Sequence, residues 1–335
     1  MAEILVTSFK NPDLDGTACI YAYSEFLQKE GIDAIGGSYE NPRKEARFVL
    51  DTLSIELGKA KDTKEIILVD ASDPVNGISK EMDINKVVEI IDHRKNHHLD
   101  EFCNVKKHQI ELVGACATLI VEKFYEKKIE LSKNSAILLY SAIIWNTINL
   151  RNNVTTARDV KMATWLLTQI NLPRDYVYNM FAYGQEECLK ELYFVNLEFK
   201  DKKVGVAQIE TVEIDEFISK NEKEIFEILN SNKNKFDYIF ITCIDLENGF
   251  NRFIANDEKT KTLIETLFKV EFQDNIAKRE GIIMRKEIIP ILKEYLFRRV
   301  TKTLINSSFT SKVHGAKDCG RFSKEAETNF YCRIL

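Results

Sequence analysis

The fold is set by the stretch Asn11-Pro12-Asp13-Leu14-Asp15-Gly16, which follows the apolar run Ile4-Leu5-Val6. Asp13 and Asp15 are separated by one residue, so on an extended segment their carboxylates point to the same side. Gly16 tolerates the backbone angles that are needed where a strand turns into a helix. Turn chemistry, with one aspartate capping the following helix, explains this motif equally well when it is taken alone.

Two more motifs place acidic groups and an imidazole at the ends of apolar runs. Asp70 ends the run 66–69, and Asp92-His93-Arg94 ends the run 87–91. Both runs are rich in β-branched residues and predict buried strands, whose carboxyl ends meet at one edge of a parallel sheet. Carboxylates gathered there repel one another unless a cation lies between them. The three motifs together therefore predict a metal site of oxygen ligands and one imidazole, which suits Mn²⁺ or Mg²⁺.

The histidine of the third motif and the two histidines that follow it are explained differently. Asp92 is predicted to orient the His93 imidazole, because metal-binding histidines generally need a second hydrogen bond. His97 and His98 follow four and five residues after His93, as candidate ligands or substrate contacts. A polar, solvated loop after the strand is the simpler explanation of these two.

The first half of the chain alternates strand and helix signals, which predicts an α/β fold with a mostly parallel sheet. Strands are expected at 4–8, 33–35, 66–71, 87–93 and 105–112, and helices at 17–31 and 42–57. The region 116–197 looks almost wholly helical, with helices expected at 116–128, 132–149, 157–170 and 175–194. Thr156 and Asp159 have the spacing of a capping box at the start of the third of these helices.

Beyond about residue 200 strand signals return and predict a smaller α/β domain. Strands are expected at 203–209, 236–244 and 253–255, with helices at 222–230 and 260–268. The polar, lysine-rich segment Glu198–Lys203 suits a boundary. The expected domains are therefore residues 1–197 and 198–300, followed by an irregular tail, 301–335.

Composition limits the class of protein. A chain of 335 residues suits two domains, and 44% apolar with 30% charged residues is typical of a soluble globular protein. No apolar run approaches the roughly 18–20 residues that span a bilayer, and no signal peptide is recognisable. Seven cysteines without a CxxC pair indicate reduced thiols and a cytoplasmic location. The net charge of -5 argues against a large nucleic-acid surface.

In its motifs the chain resembles the DHH phosphoesterase superfamily, nearest to the manganese-dependent (family II) inorganic pyrophosphatases and the exopolyphosphatase and prune-like proteins. The resemblance covers about residues 1–297. It includes 113–118, similar to the family's glycine-containing segment, and 281–290, similar to its phosphate-binding loop. It implies a mostly parallel N-terminal DHH domain flanked by helices, followed by a smaller α/β C-terminal domain.

The resemblance also implies roles for individual residues. The metal ligands would be Asp13, Asp15, Asp70, His93 and Asn146. They would hold one or two ions of Mn²⁺, with Mg²⁺ or Co²⁺ as substitutes. The catalytic residues would be Asp70, His93 and Arg94. The substrate-binding residues would be Arg94, Arg285, Lys286 and His98. Without the resemblance, a surface salt bridge would explain Arg94 as well, and a solvated turn would explain the pair at 285 and 286.

Four positions depart from the pyrophosphatase pattern. Phe9 stands at a histidine ligand, and Arg94 stands at the second histidine of Asp-His-His. Asn146 stands at an acidic ligand, and Met284 stands at the serine of the phosphate-binding loop. Because phenylalanine cannot ligate and asparagine brings no charge, one ion would be held more weakly. An arginine in the third motif is similar to prune-type members.

The expected function is metal-dependent hydrolysis of a phosphoanhydride or phosphoester of a small substrate by a metal-activated water. Two alternatives stay open. One is a non-catalytic phosphate- or nucleotide-binding regulatory protein with a degenerate metal site. The other is a phosphodiesterase for short or cyclic nucleotides, which the lack of a glycine-glycine segment near the C-terminus disfavours. Neither a membrane nor an extended nucleic acid is expected as a partner, and a homodimer is left open.

Overall fold

The computed structural model describes residues 3–74, 77–94, 98–183, 185, 188–190, 192–199 and 202–296. The predictions for His97 and for the tail 301–335 fall outside these residues. Met1–Ile288 forms one compact unit and Ile289–Leu335 a second, which is described over 289–296, where the chain is helical. Within the described ranges, no helix combines the length and the apolar character needed to cross a bilayer.

A five-stranded parallel sheet forms the first half of the large unit. Its strands are β1 (Ile4–Thr7), β2 (Ala34–Gly36), β3 (Glu65–Val69), β4 (Val87–Asp92) and β5 (Lys107–Ile110). Their order is β2-β1-β3-β4-β5, and every pairing is parallel. The apolar run 66–69 is buried throughout, as expected for a sheet that is covered on both faces. The predicted parallel α/β architecture is thus confirmed.

Among the described residues, six α-helices accompany this sheet. They are α1 (Leu14–Lys29), α2 (Lys44–Leu53), α3 (Cys116–Lys127), α4 (Lys133–Asn146), α5 (Ala157–Leu167) and α6 (Tyr176–Ala182). Residues 135–144 of α4 are all buried, because this helix packs against α1, α3 and α5. A helix that is apolar on all sides, as this one is, belongs in the interior.

The start of α1 is fixed against the end of β1. The Asp13 side chain caps the helix by accepting a hydrogen bond from the Gly16 N–H at 3.0 Å. A Cβ at Gly16 would lie 2.7 Å from Ser8 Oγ, so only glycine lets the helix approach the strand this closely. Asp13 and Asp15 are thereby held at the carboxyl end of the first strand.

A six-stranded mixed sheet forms the second half. It consists of β6 (Val195–Phe199), β7 (Lys202–Thr211), β8 (Tyr238–Asp245), β9 (Phe250–Ile254), β10 (Phe272–Gln273) and β11 (Ile276–Glu280). The order is β10-β11-β9-β8-β7-β6, with β7 and β8 parallel and the other pairings antiparallel. α7 (Ile214–Asn232) joins β7 to β8, and α8 (Glu258–Phe268) follows β9. The predicted second α/β part is also confirmed.

Two helix predictions are wrong in extent. The helix expected at 175–194 ends at Ala182, and Tyr183 has extended backbone. Leu189 and Phe194 pack into the core of the second sheet instead, so tertiary packing overrides a helical period. The helix expected at 222–230 is longer than predicted, since α7 begins at Ile214 and continues past Asn221, whose backbone angles are non-helical.

The lysine-rich segment Glu198–Lys203 contributes to the hairpin of β6 and β7. The second sheet therefore begins at Val195. Strand β6 lies at the edge of this sheet, where charged residues discourage pairing with other chains. The charge of the segment Glu198–Lys203 is also typical of a linker, which is why the sequence pattern predicted a boundary there. Ile244, Leu246 and Ile282 pack into the core of the first half, so the second sheet adjoins the helices that carry the site.

Candidate metal centre

Residues from all three motifs converge at the carboxyl ends of the parallel strands. One ligand atom from each of Asp15, Asp70 and His93 lies within 4.8 Å of the other two. The two carboxylates are buried, whereas the His93 side chain is 17% exposed. The structure therefore brings together three of the five expected ligands at the sheet edge that parallel topology favours.

Both carboxylate oxygens of Asp70 are buried without a hydrogen bond. Oδ1 lies at ion-pair distance from two side chains, 3.3 Å from His93 Nε2 and 3.2 Å from Arg94 Nη2. The residue has a φ of 54°, and its N–H donates to the Ile91 carbonyl of β4 at 2.8 Å. A buried oxygen of a carboxylate is costly when it is unpaired. A bound cation would remove that cost.

Asp15 is held by the N-terminus of α3. The backbone N–H groups of Cys116 and Ala117 each donate to its carboxylate at 2.8 Å, one to each oxygen. The start of a helix favours negative charge. Burial nevertheless raises the pKa of Asp15 to about 7, and the charge of Asp70 adds to the rise. The Asn146 Nδ2 group also donates to Asp15, at 2.7 Å, so this amide presents a donor to the site.

Asp13 lies beside the group of three but outside it. Its side chain caps α1 through the Gly16 N–H. Burial raises the pKa of Asp13, and the negative charge of Asp70 raises it further. Asp13 is thus close enough to Asp70 that a cation bound there would offset the negative charges of both carboxylates.

His93 presents Nε2 to the carboxylates. Its Nδ1 lies 3.0 Å from the Val113 carbonyl, while Nε2 faces Asp70 and, at 3.6 Å, Asp15. The prediction that Asp92 orients this ring is wrong, because Asp92 Oδ1 accepts from the His93 backbone N–H at 2.7 Å. Burial lowers the pKa of His93, but the bond to Asp70 and the charge of Asp15 outweigh it and raise the pKa to about 9.

Arg94 reaches into the carboxylates. Its Nη1 donates to Asp92 Oδ1 at 2.9 Å and to the Asp70 carbonyl, and its Nη2 lies 3.2 Å from Asp70 Oδ1. The guanidinium carbon lies 4.5 Å from the centre of the Phe9 ring. Asp92 is buried and accepts a further bond from the Ser72 hydroxyl. The alternative of a surface salt bridge is wrong, because both carboxylate partners of Arg94 are buried.

Arg285 and Lys286 are the first residues of the helical stretch 285–296. Arg285 lies over Tyr193, with its guanidinium carbon 4.6 Å from the ring centre and Nη2 donating to the phenol oxygen at 2.7 Å. Its N–H donates to the Gln208 side chain. Two cations at the start of a helix make a favourable place for a phosphate group.

Two further acidic residues, Glu45 and Glu210, interact electrostatically with residues of the site, and no pattern in the sequence indicated them. Burial raises the pKa of Glu45, and the charges of Asp13 and Glu210 raise it further. Burial likewise raises the pKa of Glu210, against the bond from Gln208 and the opposing charges of Arg285 and Lys286.

The structure does not bring the His98 side chain into this group. His98 Nδ1 lies 3.2 Å from Glu101, and the side chain is 49% exposed. Its backbone N–H donates to the Ser72 carbonyl at 3.0 Å, which connects it indirectly to Asp92.

Asp159 holds the segment that supports the candidate ligands. This role goes beyond the helix cap that its sequence pattern indicated. Both of its oxygens accept from the Gly114 N–H, at 3.0 and 2.9 Å, and Oδ1 accepts from Thr118 at 2.6 Å. The predicted capping box with Thr156 is confirmed. The segment 113–117 carries the carbonyl that meets His93 and the N–H groups that hold Asp15. Asp159 therefore fixes one end of the segment that supports two of the candidate ligands.

The donor set fits a divalent cation. Two carboxylates and one imidazole meet, both oxygens of Asp70 lack a hydrogen bond, and no thiolate ligand takes part in this group of described residues. Oxygen-rich ligation with a single imidazole suits Mn²⁺.

Comparison with known proteins gives a consistent assignment. Residues 3–143 match the N-terminal domain of the DHH family. The "Probable manganese-dependent inorganic pyrophosphatase" of Clostridium acetobutylicum is 30% identical over 305 residues, which cover 86% of this chain and 96% of that protein. The "Manganese-dependent inorganic pyrophosphatase" of Bacillus subtilis is 26% identical over 312 residues, 88% of this chain and 99% of that protein.

A solved structure agrees with these relatives. A candidate family II inorganic pyrophosphatase from Methanococcus jannaschii superimposes with a TM-score of 0.62 at 26% identity, over 87% of this chain and 98% of that one. Similarity at this level extends through both sheets, and the resemblance expected from the motifs is confirmed. The chain therefore belongs to the DHH family and, within it, to the family of manganese-dependent inorganic pyrophosphatases.

Proposed function

We propose that this protein is a metal-dependent phosphohydrolase that cleaves a phosphoanhydride, with inorganic pyrophosphate as the first candidate substrate. The observation that carries the proposal is the buried Asp70 carboxylate beside His93 and Asp15, because neither of its oxygens has a hydrogen bond. A folded protein keeps such a carboxylate at a cost unless a cation binds there. The relatives named as manganese-dependent pyrophosphatases supply the substrate class.

The ion would be held by Asp15, Asp70 and His93, with Asp13 beside them. When bound, a divalent ion of this kind lowers the pKa of a coordinated water and polarises a phosphoryl oxygen. His93 offers Nε2 while the Val113 carbonyl fixes its ring. Asn146 is proposed to orient Asp15 through its amide, in addition to its predicted role as a ligand.

Three cationic side chains would bind the phosphate oxygens. Arg94 is one-third exposed beside the carboxylates, so an N–H group that faces solvent is available to a substrate. Arg285 and Lys286 would bind the remaining oxygens and the charge that develops on the leaving phosphate. His98 stays a predicted substrate contact.

The competing function is phosphate or nucleotide binding without turnover. The position of Phe9 favours it, since a side chain without a donor atom lies under Arg94 beside the candidate ligands. The two functions differ in one measurable property, because only the hydrolase releases phosphate in proportion to bound metal.

A phosphate-release screen tests the proposal. The chain is freed of metal and assayed with Mn²⁺, Mg²⁺ or Co²⁺ on pyrophosphate, tripolyphosphate, cyclic nucleotides and short linear nucleotides. We expect Mn²⁺-dependent release from pyrophosphate that is abolished by Asp70→Asn and kept by Asp62→Asn, whose carboxylate is 90% exposed. Binding without release under every metal would establish the binding protein. Release from nucleotides alone would establish a phosphodiesterase.

Three finer assignments accompany this function. We propose that the chain is divided into domains at residues 1–197 and 198–300, followed by a tail at 301–335. We propose a homodimer as an alternative to a monomer. We also propose that the protein is cytoplasmic. Support for the location comes from the described cysteines, since Cys19, Cys103, Cys116 and Cys243 are thiols outside any disulfide. Gel filtration with light scattering at several concentrations tests the assembly.

A further inference from the structure

Arg94 is a permanent cation within the carboxylate cluster. It contacts Asp70 Oδ1 at 3.2 Å and Asp92 Oδ1 at 2.9 Å, and these two aspartates are 1% and 0% exposed. An arginine stays charged at every accessible pH. The protein itself therefore already supplies a positive charge to Asp70 Oδ1.

Phe9 fixes this arginine in place. The guanidinium carbon lies 4.5 Å from the ring centre, a separation at which a cation is attracted to the face of an aromatic ring. The ring is itself packed on Gly77, where an added Cβ would lie 2.6 Å from Phe9 Cδ1. The Gly77 carbonyl accepts a bond from the Lys10 N–H at 2.8 Å, which ties the two segments together. Phenylalanine offers no atom that could ligate a metal.

The donors left around Asp70 suffice for one ion. Asp15 and His93 each place a ligand atom within 4.8 Å of one from Asp70. A second divalent ion beside them would lie against the Arg94 guanidinium, which is already 3.2 Å from Asp70 Oδ1. Like charges at that separation repel strongly in a buried site.

We propose that Arg94, carried on Phe9, takes the place of a second metal ion, so that the centre binds one divalent cation per chain. The proposal rests on the proposed function only for the existence of a metal centre. It concerns the number of ions, which the identity of the substrate does not decide.

The test measures the number of Mn²⁺ ions bound per chain and does not depend on catalytic activity. Metal-free full-length chain is equilibrated with Mn²⁺, the bound metal is measured by dialysis, and spin coupling is measured by electron paramagnetic resonance. We expect one Mn²⁺ per wild-type chain, with the spectrum of a magnetically isolated ion. The double variant Phe9→His with Arg94→His, which removes the fixed cation and adds two imidazoles, should take up two ions.

A matched control separates this effect from the general loss of an arginine. Arg252 is bound by Asp215 at 2.6 and 2.7 Å and lies 5.2 Å from the Phe250 ring, the same combination of partners in the second sheet. Arg252→Ala should leave the count at one. If circular dichroism shows that the double variant does not fold, the single variant Arg94→Gln is measured instead. It should bind more than one Mn²⁺ per chain at a tenfold higher Mn²⁺ concentration.

The outcomes are distinct. Two coupled Mn²⁺ ions on the wild-type chain would overturn the inference and leave the proposed function intact. A folded double variant, or a folded Arg94→Gln variant, that still binds one ion would also overturn it. No Mn²⁺ on the wild-type chain would remove the metal centre and the proposed function together.

Discussion

At the residue scale, the centre depends on the position of Asp70 more than on any other side chain. Its left-handed backbone, with a φ of 54°, costs about 1–2 kcal/mol for a residue other than glycine. The N–H bond to Ile91 holds that conformation, and the carboxylate is 1% exposed. Strain and an unpaired oxygen at one buried residue are typical of a functional site.

Asp70→Asn should lower the affinity for Mn²⁺ by more than about 100-fold. The change keeps the shape of the side chain but removes the charge, and even indirect partners of a metal ligand are worth about 10–100-fold. Isothermal titration of the metal-free chain measures the affinity, with Asp62→Asn as the control. Equal affinities in the wild type and in Asp70→Asn would exclude Asp70 as a ligand.

Arg285→Ala should raise KM for the phosphate substrate about tenfold or more and leave Mn²⁺ binding unchanged. A hydrogen bond to a charged group contributes about 1.5–3 kcal/mol, and Arg285 contacts Tyr193 and Gln208 rather than a candidate ligand. Steady-state kinetics and metal titration on the same preparation measure both quantities. Loss of metal from this variant would contradict its role as a phosphate contact.

At the element scale, the segment 113–117 before and at the start of α3 connects the ligands to the helical layer. Its Val113 carbonyl meets His93, and its Cys116 and Ala117 N–H groups hold Asp15. Asp159 fixes Gly114 from α5. A Cβ at Gly114 would lie 2.5 Å from Thr147, so the segment also packs closely against the end of α4.

Asp159→Ala should lower the free energy of unfolding by about 1–3 kcal/mol and weaken Mn²⁺ binding as well, because it leaves a buried N–H unpaired and frees the segment. Thr156→Ala is the matched control. It removes the helix cap, at a cost of about 1 kcal/mol, but keeps the Asp159 bonds to Gly114, so metal affinity should be retained. Denaturant unfolding and metal titration measure the two effects. Equal metal affinities in both variants would assign Asp159 a purely structural role.

Glu25 connects α1 to the start of α4. It accepts bonds from the Ser132 N–H at 2.7 Å and the Ser132 hydroxyl at 2.6 Å, and also from the Ser135 hydroxyl. Burial raises the pKa of Glu25, but these bonds and Lys29 outweigh it and lower the pKa below its ordinary value of 4.5. The stability from Glu25 is therefore fully present above pH 4.5 and is lost as the pH falls through the lowered pKa.

Glu25→Gln should cost about 1–3 kcal/mol of unfolding free energy at pH 7, because charge-assisted bonds become neutral ones. The difference from the wild type should shrink as the pH falls below about 4.5, since the protonated glutamate also loses its charge. Urea unfolding across this pH range measures it, with the exposed Glu224→Gln of α7 as the control. A difference that stays constant with pH would contradict the charged hydrogen bonds.

The sequence predicted the convergence of the motifs because strand ends in a parallel sheet must meet at one edge. Asp15, Asp70 and His93 follow from that rule. The support from Val113 and Asp159 could not be predicted, because it depends on how α3 and α5 pack across more than forty residues of sequence. Likewise, α6 ends early because Leu189 is buried in the second core, and no local pattern reports that contact.

At the scale of the whole molecule, the two sheets contribute different chemistry. The parallel sheet supplies the carboxylates and the imidazole, and the segment after the mixed sheet supplies Arg285 and Lys286. Asp13, Asp15 and Asp70 gather negative charge at the candidate metal centre. Bound metal would reduce the repulsion that a phosphate group meets there. Substrate binding should therefore depend on prior metal binding.

A Mn²⁺ titration of the metal-free chain, in which bound metal and phosphate release from pyrophosphate are followed together, tests whether hydrolysis depends on an ion at the Asp70 centre. We expect no release without metal, and release that rises in proportion to Mn²⁺ bound at that centre. Asp70→Asn should neither bind the ion nor release phosphate. Release that is complete before any Mn²⁺ binds, or that Asp70→Asn retains in full, would exclude a metal centre at Asp70 as the site of hydrolysis.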